Sequence, residues 1–261
     1  MNIGLVLSGG GVRGVAHIGA IKALEEHGIF PTHIAGASAG AIVGVLYANG
    51  NSWEAILDFF KTVEIFSLNK FARNKPGFID TEKLYDSFKS NLSDDNFSAL
   101  RLPLSITATN LLTGALKVFN EGELIRPVLA SAAFPGVFTP VQIDGEYYID
   151  GGTLNNFPVD LIKATCDTIV GVYVNPFEVL EFNDLKYSFN ILDRAYKIKT
   201  AHESIAKFED CDLVISPIDL RKYSTFSVKD IDAVFELGYN AAMSVLNEKM
   251  VSLLKGNSKS V

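Results

Sequence analysis

Short apolar runs alternate along the chain with longer segments in which apolar positions recur every three or four residues. The short runs are typical of buried strands, and the longer segments are typical of amphipathic helices. The predicted strands are residues 3–7, 33–37, 104–109, 115–119, 141–143, 146–149, 167–174 and 212–216. The predicted helices are residues 13–27, 39–49, a helix that starts at 53, 81–92, 123–133, 188–208 and 228–254. This alternation predicts an α/β fold with three layers, in which helices cover both faces of a mostly parallel central sheet.

The whole chain, residues 1–261, is predicted to form one domain, because no repeat, low-complexity linker or shift in composition divides it. A hydrophobic content of 48% is ample for a sizeable core. The net charge of -7 gives no sign of nucleic-acid binding and no general attraction to anionic membranes. Cys166 and Cys211 lack a close spacing and are expected to be buried apolar residues. With no signal-peptide pattern at the N-terminus, the sequence predicts a soluble cytoplasmic protein.

A glycine-rich loop, GGGVRG at residues 9–14, separates the first predicted strand from the first predicted helix. It contains the G-x-G-x-x-G pattern of dinucleotide-binding loops in the position that such a loop requires. A dinucleotide site also needs an acidic residue at the end of the second strand, which here contains none. A nucleotide-binding oxidoreductase is therefore disfavoured, although it remains an alternative.

The end of the second strand instead carries GASAG, residues 36–40, which matches the G-x-S-x-G motif between a strand and a helix. In that motif the serine lies on a sharp turn that exposes its hydroxyl, so Ser38 is a candidate nucleophile. Two other interpretations are open at this point. The small residues can serve only for tight packing of helix on sheet, and Ser38 can serve only as a helix N-cap.

The glycine loop supplies what a serine nucleophile needs, because attack on an ester creates an oxyanion that requires positioned N–H donors. Gly9, Gly10 and Gly11 can turn their amides inward, and loops after adjacent parallel strands open at the same edge of the sheet. Arg13, in the first helical turn, has two interpretations. It is either solvated or salt-bridged, or it braces the glycine loop or binds a phosphate or carboxylate group.

None of the four histidines is well placed to act as the base for Ser38. The first two are expected on a helix surface or in packing, the third at the opposite edge of the sheet and the last at the edge of the core: His17, His27, His33 and His202. The better candidate is Asp150, which follows a predicted hairpin around Asp144-Gly145. A buried carboxylate can act as a base, although Asp150 followed by glycine also fits an ordinary turn.

Taken together, the motifs resemble those of the patatin-like phospholipases of the small single-domain bacterial type. The resemblance rests on GGGVRG at 9–14, GASAG at 36–40, SAAFPGVFTP at 131–140 and DGG at 150–152, in the family's order. Ser8 departs from the acidic residue that some members carry just before the glycines. The motifs span residues 9–152.

The resemblance implies a patatin-like sheet between helices and the hydrolysis of acyl esters of lipids without a metal or a cofactor. It also implies a catalytic pair of Ser38 and Asp150 without histidine, and an oxyanion hole at Gly9, Gly10 and Gly11. Acyl transfer to another alcohol and a regulatory or scaffolding protein that keeps the fold without turnover remain alternatives.

Two further segments bear on the substrate. Residues 65–79, IFSLNKFARNKPGFI, interleave aromatic and basic side chains, which suggests a lid or a transient contact with a membrane surface. The alternative is a loop that packs its aromatic side chains into the core. Residues 187–191 are a second aromatic stretch, which is expected to line the acyl pocket.

Overall fold

The computed structural model describes residues 1–63, 72, 76–225 and 228–257. Its strands are β1 (Ile3–Leu7), β2 (His33–Ala37), β3 (Leu104–Asn110), β4 (Leu116–Phe119), β5 (Val141–Ile143), β6 (Glu146–Asp150), β7 (Thr168–Val172) and β8 (Leu213–Ile215). Its α-helices are α1 (Val15–Glu26), α2 (Ala39–Asn49), α3 (Trp53–Thr62), α4 (Tyr85–Lys89), α5 (Ile125–Ser131), α6 (Gly152–Asn155), α7 (Ser188–Ile205) and α8 (Ile231–Asn257). The described residues thus form an α/β fold, as predicted.

The eight strands form one sheet in the order β5-β6-β3-β2-β1-β7-β8, with β4 paired to β3 outside this path. Strands β3, β2, β1, β7 and β8 are parallel to one another. Strands β4 and β6 are antiparallel to β3, and β5 is antiparallel to β6. The prediction of a mostly parallel central sheet is confirmed.

Alternate side chains of the central strands enter two separate cores, one on each face of the sheet. Leu5, Leu7 and Ile34 belong to the larger core, which helices α1, α2, α5 and α8 help to form. Val6 and Ala35, between them in the strands, belong to a smaller core on the other face. Because successive strand residues point to opposite faces, this alternation makes the sheet the middle layer of three.

The register of the central strands brings the ends of β2 and β6 to the same level of the sheet. Ala37 pairs with Thr107 of β3, and the next residue of β3, Ala108, pairs with Asp150. Ser38 and Asp150 therefore flank β3 from either side. The hairpin that delivers Asp150 turns at Asp144-Gly145, where both φ angles are positive (50° and 83°), as the sequence predicts.

Helix α7 turns polar residues toward the interior of the protein. Thr200 and Ser204 are buried, whereas Ile198 and Ile205 are exposed. His202, expected at the edge of the core, is also exposed. The prediction for His202 is wrong because α7 turns another face inward, on which Thr200 borders a cavity.

Two further observations concern cysteines and membrane segments. Cys166 and Cys211 are free and pack against the smaller core but are only partly buried, so the expectation that they are buried is wrong. Within the described part of the chain, no helix combines the length and the apolar character that crossing a membrane requires.

Candidate active site

Ser38 lies on a sharp turn between β2 and α2. Its backbone angles, φ 52° and ψ -123°, fall in a region that residues other than glycine rarely occupy. The Ser38 N–H donates a hydrogen bond to Ser131 Oγ at 2.8 Å, which holds the turn from the end of α5. Such strain persists only where the surrounding structure imposes it, and it is concentrated at functional sites.

The glycines on either side of Ser38 are required by close backbone contacts. A Cβ atom at Gly36 would lie 2.6 Å from the carbonyl oxygen of Gly40, and a Cβ atom at Gly40 would overlap the carbonyl oxygen of Leu7. The motif therefore does provide tight packing of helix on sheet. It does not make Ser38 a side-chain N-cap, because the Ser38 side chain makes no capping hydrogen bond to α2.

The Ser38 hydroxyl donates a hydrogen bond to Asp150 Oδ2 at 2.7 Å. The second carboxylate oxygen, Oδ1, accepts the Gly152 N–H at 2.7 Å. The Asp150 backbone N–H donates to the carbonyl oxygen of Ala133 at 3.0 Å, and Thr109 Oγ1 donates to the Asp150 carbonyl oxygen. Asp150 is thus fixed from both its backbone and its side chain.

The buried position of Asp150 changes its acidity. Burial raises the pKa of Asp150 from 3.8 to about 7, and the hydrogen bonds from Ser38 and Gly152 counteract only part of that increase. A carboxylate with a pKa near neutrality can accept a proton from a hydroxyl and release it again near pH 7. The site thus combines a strained serine with a carboxylate of matched acidity.

The three glycines of the loop have different environments. Gly9 donates its N–H to the carbonyl oxygen of Asn156 at 3.1 Å, so this amide is already engaged, and its role as an N–H donor to an oxyanion stays a prediction. Gly10 and Gly11 line the cavity beside Ser38. Within residues 1–63, 72, 76–225 and 228–257, no backbone acceptor takes the N–H of either glycine.

Ser8, where some family members carry an acid, holds the glycine loop in place. Its Oγ donates to the carbonyl oxygen of Gly9 at 3.0 Å and accepts the Val174 N–H at 3.0 Å. The Ser8 carbonyl oxygen lies 2.8 Å from Nε2 of His17. The substitution of an acid by serine is therefore accommodated by local hydrogen bonds.

Arg13 is buried, which contradicts the solvated alternative. Its Nε donates to the carbonyl oxygen of Tyr223 at 2.8 Å, so it ties the glycine loop to the segment after β8. The guanidinium borders a small cleft next to the main cavity, which it shares with Asn175 and Lys197. The contact with Tyr223 supports the bracing role.

The histidines do not contact Ser38 or Asp150 through any hydrogen bond in the described residues. His17 is fully buried, and burial lowers its pKa to about 4. His33 pairs with Gly4 at the opposite edge of the sheet, and His27 ends α1. The predictions for these three residues as packing or surface positions are confirmed.

A cavity opens over Ser38 and Asp150 and encloses about 800 Å³ of space, including its open mouth. Much of its wall is apolar and comes from Ile42, Leu84, Phe88, Leu129, Phe134 and Phe138. Of the stretch 187–191 that was expected to line it, Tyr187 and Ile191 point away, since they are 73% and 54% exposed. Tyr196 and Thr200, further along α7, line it instead.

Two parts of the site had a weaker signal in the sequence or lie outside the described residues. Phe134 and Phe138 belong to the stretch SAAFPGVFTP, whose resemblance to the family gave no role to individual residues; the structure assigns them to the cavity wall. Most of the segment 65–79 lies outside the described residues, so the lid and membrane-contact hypotheses stay predictions. Phe78, within the described part, is exposed.

Comparison with known proteins identifies the family. A sequence profile described as Patatin-like phospholipase matches residues 5–162, and the chain therefore belongs to the patatin-like phospholipase family. An uncharacterized NTE family protein of Mycobacterium tuberculosis is 34% identical over 180 residues, which cover 67% of this chain and 50% of that protein. Human patatin-like phospholipase domain-containing protein 6 is 31% identical over 194 residues, which cover 66% of this chain and 13% of that protein.

A fungal relative extends the match along the chain. Lysophospholipase NTE1 of Mycosarcoma maydis is 26% identical over 280 residues, which cover 95% of this chain and 15% of that protein. The chain thus spans half or less of the length of these relatives.

Solved structures share the fold. VipD from Legionella pneumophila superposes with a TM-score of 0.57 at 17% identity, covering 95% of this chain and 67% of that one. The type III effector ExoU of Pseudomonas aeruginosa gives a TM-score of 0.51 at 16% identity, covering 95% and 53%. The architecture is therefore that of patatin-like proteins.

Proposed function

We propose that this protein is a serine acyl-ester hydrolase that acts on lipids or lysophospholipids through Ser38 and Asp150. The observation that carries the proposal is the 2.7 Å hydrogen bond from Ser38 Oγ to Asp150 Oδ2 at the base of an apolar cavity. Membership of the family supports it, and so does the name lysophospholipase of the Mycosarcoma maydis relative.

In the proposed reaction, Ser38 Oγ forms a bond to the acyl carbonyl carbon while its proton passes to Asp150 Oδ2. The electron pair of the C=O double bond moves to the oxygen, where the Gly10 and Gly11 N–H groups donate hydrogen bonds. Collapse of this intermediate breaks the ester C–O bond. The departing alkoxide takes the proton from Asp150, and the acyl group remains on Ser38.

The second half of the reaction repeats the first with water in place of the serine hydroxyl. Asp150 accepts a proton from water as its oxygen attacks the acyl-enzyme, and the proton then returns to Ser38 Oγ as the fatty acid leaves. The raised pKa of Asp150 suits both directions of transfer near neutral pH. Gly9 contributes space rather than a donor, since a Cβ atom there would lie 3.0 Å from the Ser38 Cβ.

The shape and chemistry of the cavity support an acyl chain as the part of the substrate that it holds. Phenylalanine, leucine and isoleucine side chains form the wall above Ser38, and burial of each methylene of an acyl chain gains roughly 0.8 kcal/mol.

The proposal is tested by labelling the purified protein with a fluorophosphonate probe and mapping the labelled peptide. We expect labelling at Ser38 in the wild type and none in Ser38→Ala. Asp150→Asn should lower the hydrolysis of lysophospholipid and of soluble esters by roughly 10²–10⁴-fold. The matched control is Asp144→Asn, which makes the same change on the exposed turn of the same hairpin and should retain activity.

A folded wild-type protein that neither reacts with the probe nor hydrolyses any acyl ester would overturn the proposal. That outcome would favour the alternative of a scaffolding protein that keeps the fold. Release of acylated alcohol instead of free fatty acid, when an alcohol is added, would identify acyl transfer by the same acyl-enzyme.

A further inference from the structure

Asn156 is a polar residue of the cavity that has no role in the reaction proposed above. It directly follows α6 and is only 7% exposed. Its side chain lines the same cavity as Ser38, Asp150 and Gly10. An uncharged amide at this position can donate hydrogen bonds without altering the charge beside Asp150.

The surroundings of Asn156 place its carboxamide next to the reacting groups. A Cβ atom at Gly9 would collide with Asn156 Oδ1 on one side and would lie 3.0 Å from the Ser38 Cβ on the other. A Cβ atom at Gly152 would lie 2.6 Å from Asn156 Oδ1 and 2.9 Å from Asp150 Oδ1. The Asn156 carboxamide therefore lies close to Ser38 beside Gly9, and close to Asp150 beside Gly152.

The Asn156 amide nitrogen, Nδ2, is buried and has no hydrogen-bond partner within the described residues. A buried donor without an acceptor destabilises the folded protein, so such groups are rare and call for an explanation. The backbone of the same residue has a different arrangement, because its carbonyl oxygen accepts the Gly9 N–H. Asn156 thus engages the Gly9 amide through its backbone, and its side chain keeps a donor of its own.

We infer that Asn156 is a catalytic residue whose Nδ2 donates a hydrogen bond to the carbonyl oxygen of the substrate as Ser38 attacks. This inference rests on the proposed function. When the bond between Ser38 Oγ and the carbonyl carbon forms, the oxygen gains the electron pair of the double bond and becomes an oxyanion. It then accepts hydrogen bonds from the Gly10 and Gly11 N–H groups and from Asn156 Nδ2.

The test compares Asn156→Ala and Asn156→Asp with the wild type on a soluble ester that has one short acyl chain. Loss of one oxyanion donor should lower kcat by roughly 10²–10³-fold with a much smaller change in KM. The affinity for a trifluoromethyl ketone, which forms a tetrahedral adduct with the serine, should fall by a similar factor. Asn156→Asp keeps the size of the side chain and loses the N–H donor, so it should not restore activity.

The matched control is Asn155→Ala, which removes the neighbouring buried amide. Asn155 Nδ2 donates to Asp160 at 3.0 Å, and its Oδ1 accepts Lys207 Nζ at 2.7 Å, so both ends are engaged in structural contacts. We expect Asn155→Ala to lower the Tm and to leave kcat of the folded protein within a few-fold of the wild type. Asn156→Ala should instead lower kcat strongly and leave the Tm close to that of the wild type.

A measurement on the wild type keeps the inference testable if a variant does not fold. The side-chain NH₂ resonances of Asn156 should shift when the trifluoromethyl ketone adduct forms. Unchanged resonances, or an Asn156→Ala protein with wild-type kcat, would overturn the role of Asn156 and leave the Ser38–Asp150 proposal standing. A wild type without labelling or turnover would instead overturn the proposed function itself.

Discussion

Residues 5–162, which match the family, and the remaining residues from 163 onward make different contributions to the candidate site. The first region provides the groups proposed to react and to donate hydrogen bonds: Ser38, Asp150, Gly10, Gly11 and Asn156. The second region provides part of the cavity wall: Asn175, Tyr196, Lys197, Thr200 and Thr225. The groups proposed for the chemistry and part of the surface that meets the substrate thus lie in separate parts of the sequence.

The two regions are also held in place by different forces. In the first, backbone approaches leave no space for a Cβ atom at Gly36 or Gly40. In the second, α7 contributes part of the wall, and the Thr200 Oγ1 that lines it donates to the carbonyl oxygen of Tyr196 in the same helix. Because the Thr200 hydroxyl is satisfied within the helix, its substitution leaves no buried group of the described residues without a hydrogen bond. The comparison predicts that the first region tolerates little change and that the second can vary.

Gly40→Ala is expected to be the most damaging substitution, because it disrupts the backbone packing of the first region. The added Cβ atom would overlap the carbonyl oxygen of Leu7, and a backbone atom cannot rotate away as a side chain can. We expect a loss of roughly 3 kcal/mol or more in the free energy of unfolding, measured by chemical denaturation, together with loss of fluorophosphonate labelling.

The control for this prediction is Gly44→Ala, one turn further along α2. Its Cβ atom would lie 3.2 Å from Ile34 Cγ2 and 3.3 Å from Leu104 Cδ1, which are the ends of side chains. The gain of about 1 kcal/mol in helix propensity should largely offset this crowding. Equal stability of the two variants would contradict the claim that backbone contact makes Gly40 necessary.

The second prediction concerns the pH dependence that Asp150 confers. Asp150 must be ionised to accept the Ser38 proton, so kcat/KM should fall about tenfold per pH unit below a pKa of about 7. Stability should change in the opposite direction. The folded state holds the Asp150 proton up to about pH 7, whereas the unfolded state releases it near pH 3.8, so the folded protein loses stability as the pH rises between these values.

Asp150→Asn removes that loss of stability. Relative to the wild type, it should be more stabilising at pH 8 than at pH 4, with a difference of roughly 4 kcal/mol in the free energy of unfolding. Ser38→Ala serves as the control, because it leaves the buried carboxylate in place and should retain the wild-type trend. A flat rate profile between pH 5 and 8, or an effect of Asp150→Asn that is equal at both pH values, would contradict the prediction.

The two regions also differ in how much the sequence can predict. Ser38 and the hairpin before Asp150 have local signals, since G-x-S-x-G and Asp-Gly act within a few residues. The contact of Ser131 with Ser38 joins positions 93 residues apart and depends on where α5 ends against β2. The engagement of the Gly9 N–H depends likewise on Asn156, far along the chain. Periodicity contains no information about such distant contacts.

In the second region, one prediction from the sequence is wrong for another reason. The sequence predicts that His202, which lies between Ile198 and Ile205 in the chain, is at the edge of the core, because apolar faces of helices normally pack against a core. The structure places Thr200 and Ser204 inward instead, since the helix covers a cavity rather than a packed interior. A pattern of residue types cannot distinguish these two surroundings.

The mildest change is expected from a substitution that alters only the cavity wall of the second region. Thr200→Leu removes a hydroxyl that bonds only within α7 and adds bulk at a residue that lines the cavity. We expect the ratio of kcat/KM for long to short acyl chains to fall about tenfold, since one methylene in a tight pocket changes selectivity by that order. The labelling rate with a small fluorophosphonate should stay unchanged, because Ser38 and Asp150 keep their hydrogen bond.

His202→Leu, which makes an exposed change on the same helix, is the control and should leave the ratio as in the wild type. If Thr200→Leu reduced hydrolysis of long and short esters equally, α7 would affect the chemistry itself, and the division between the two regions would be wrong.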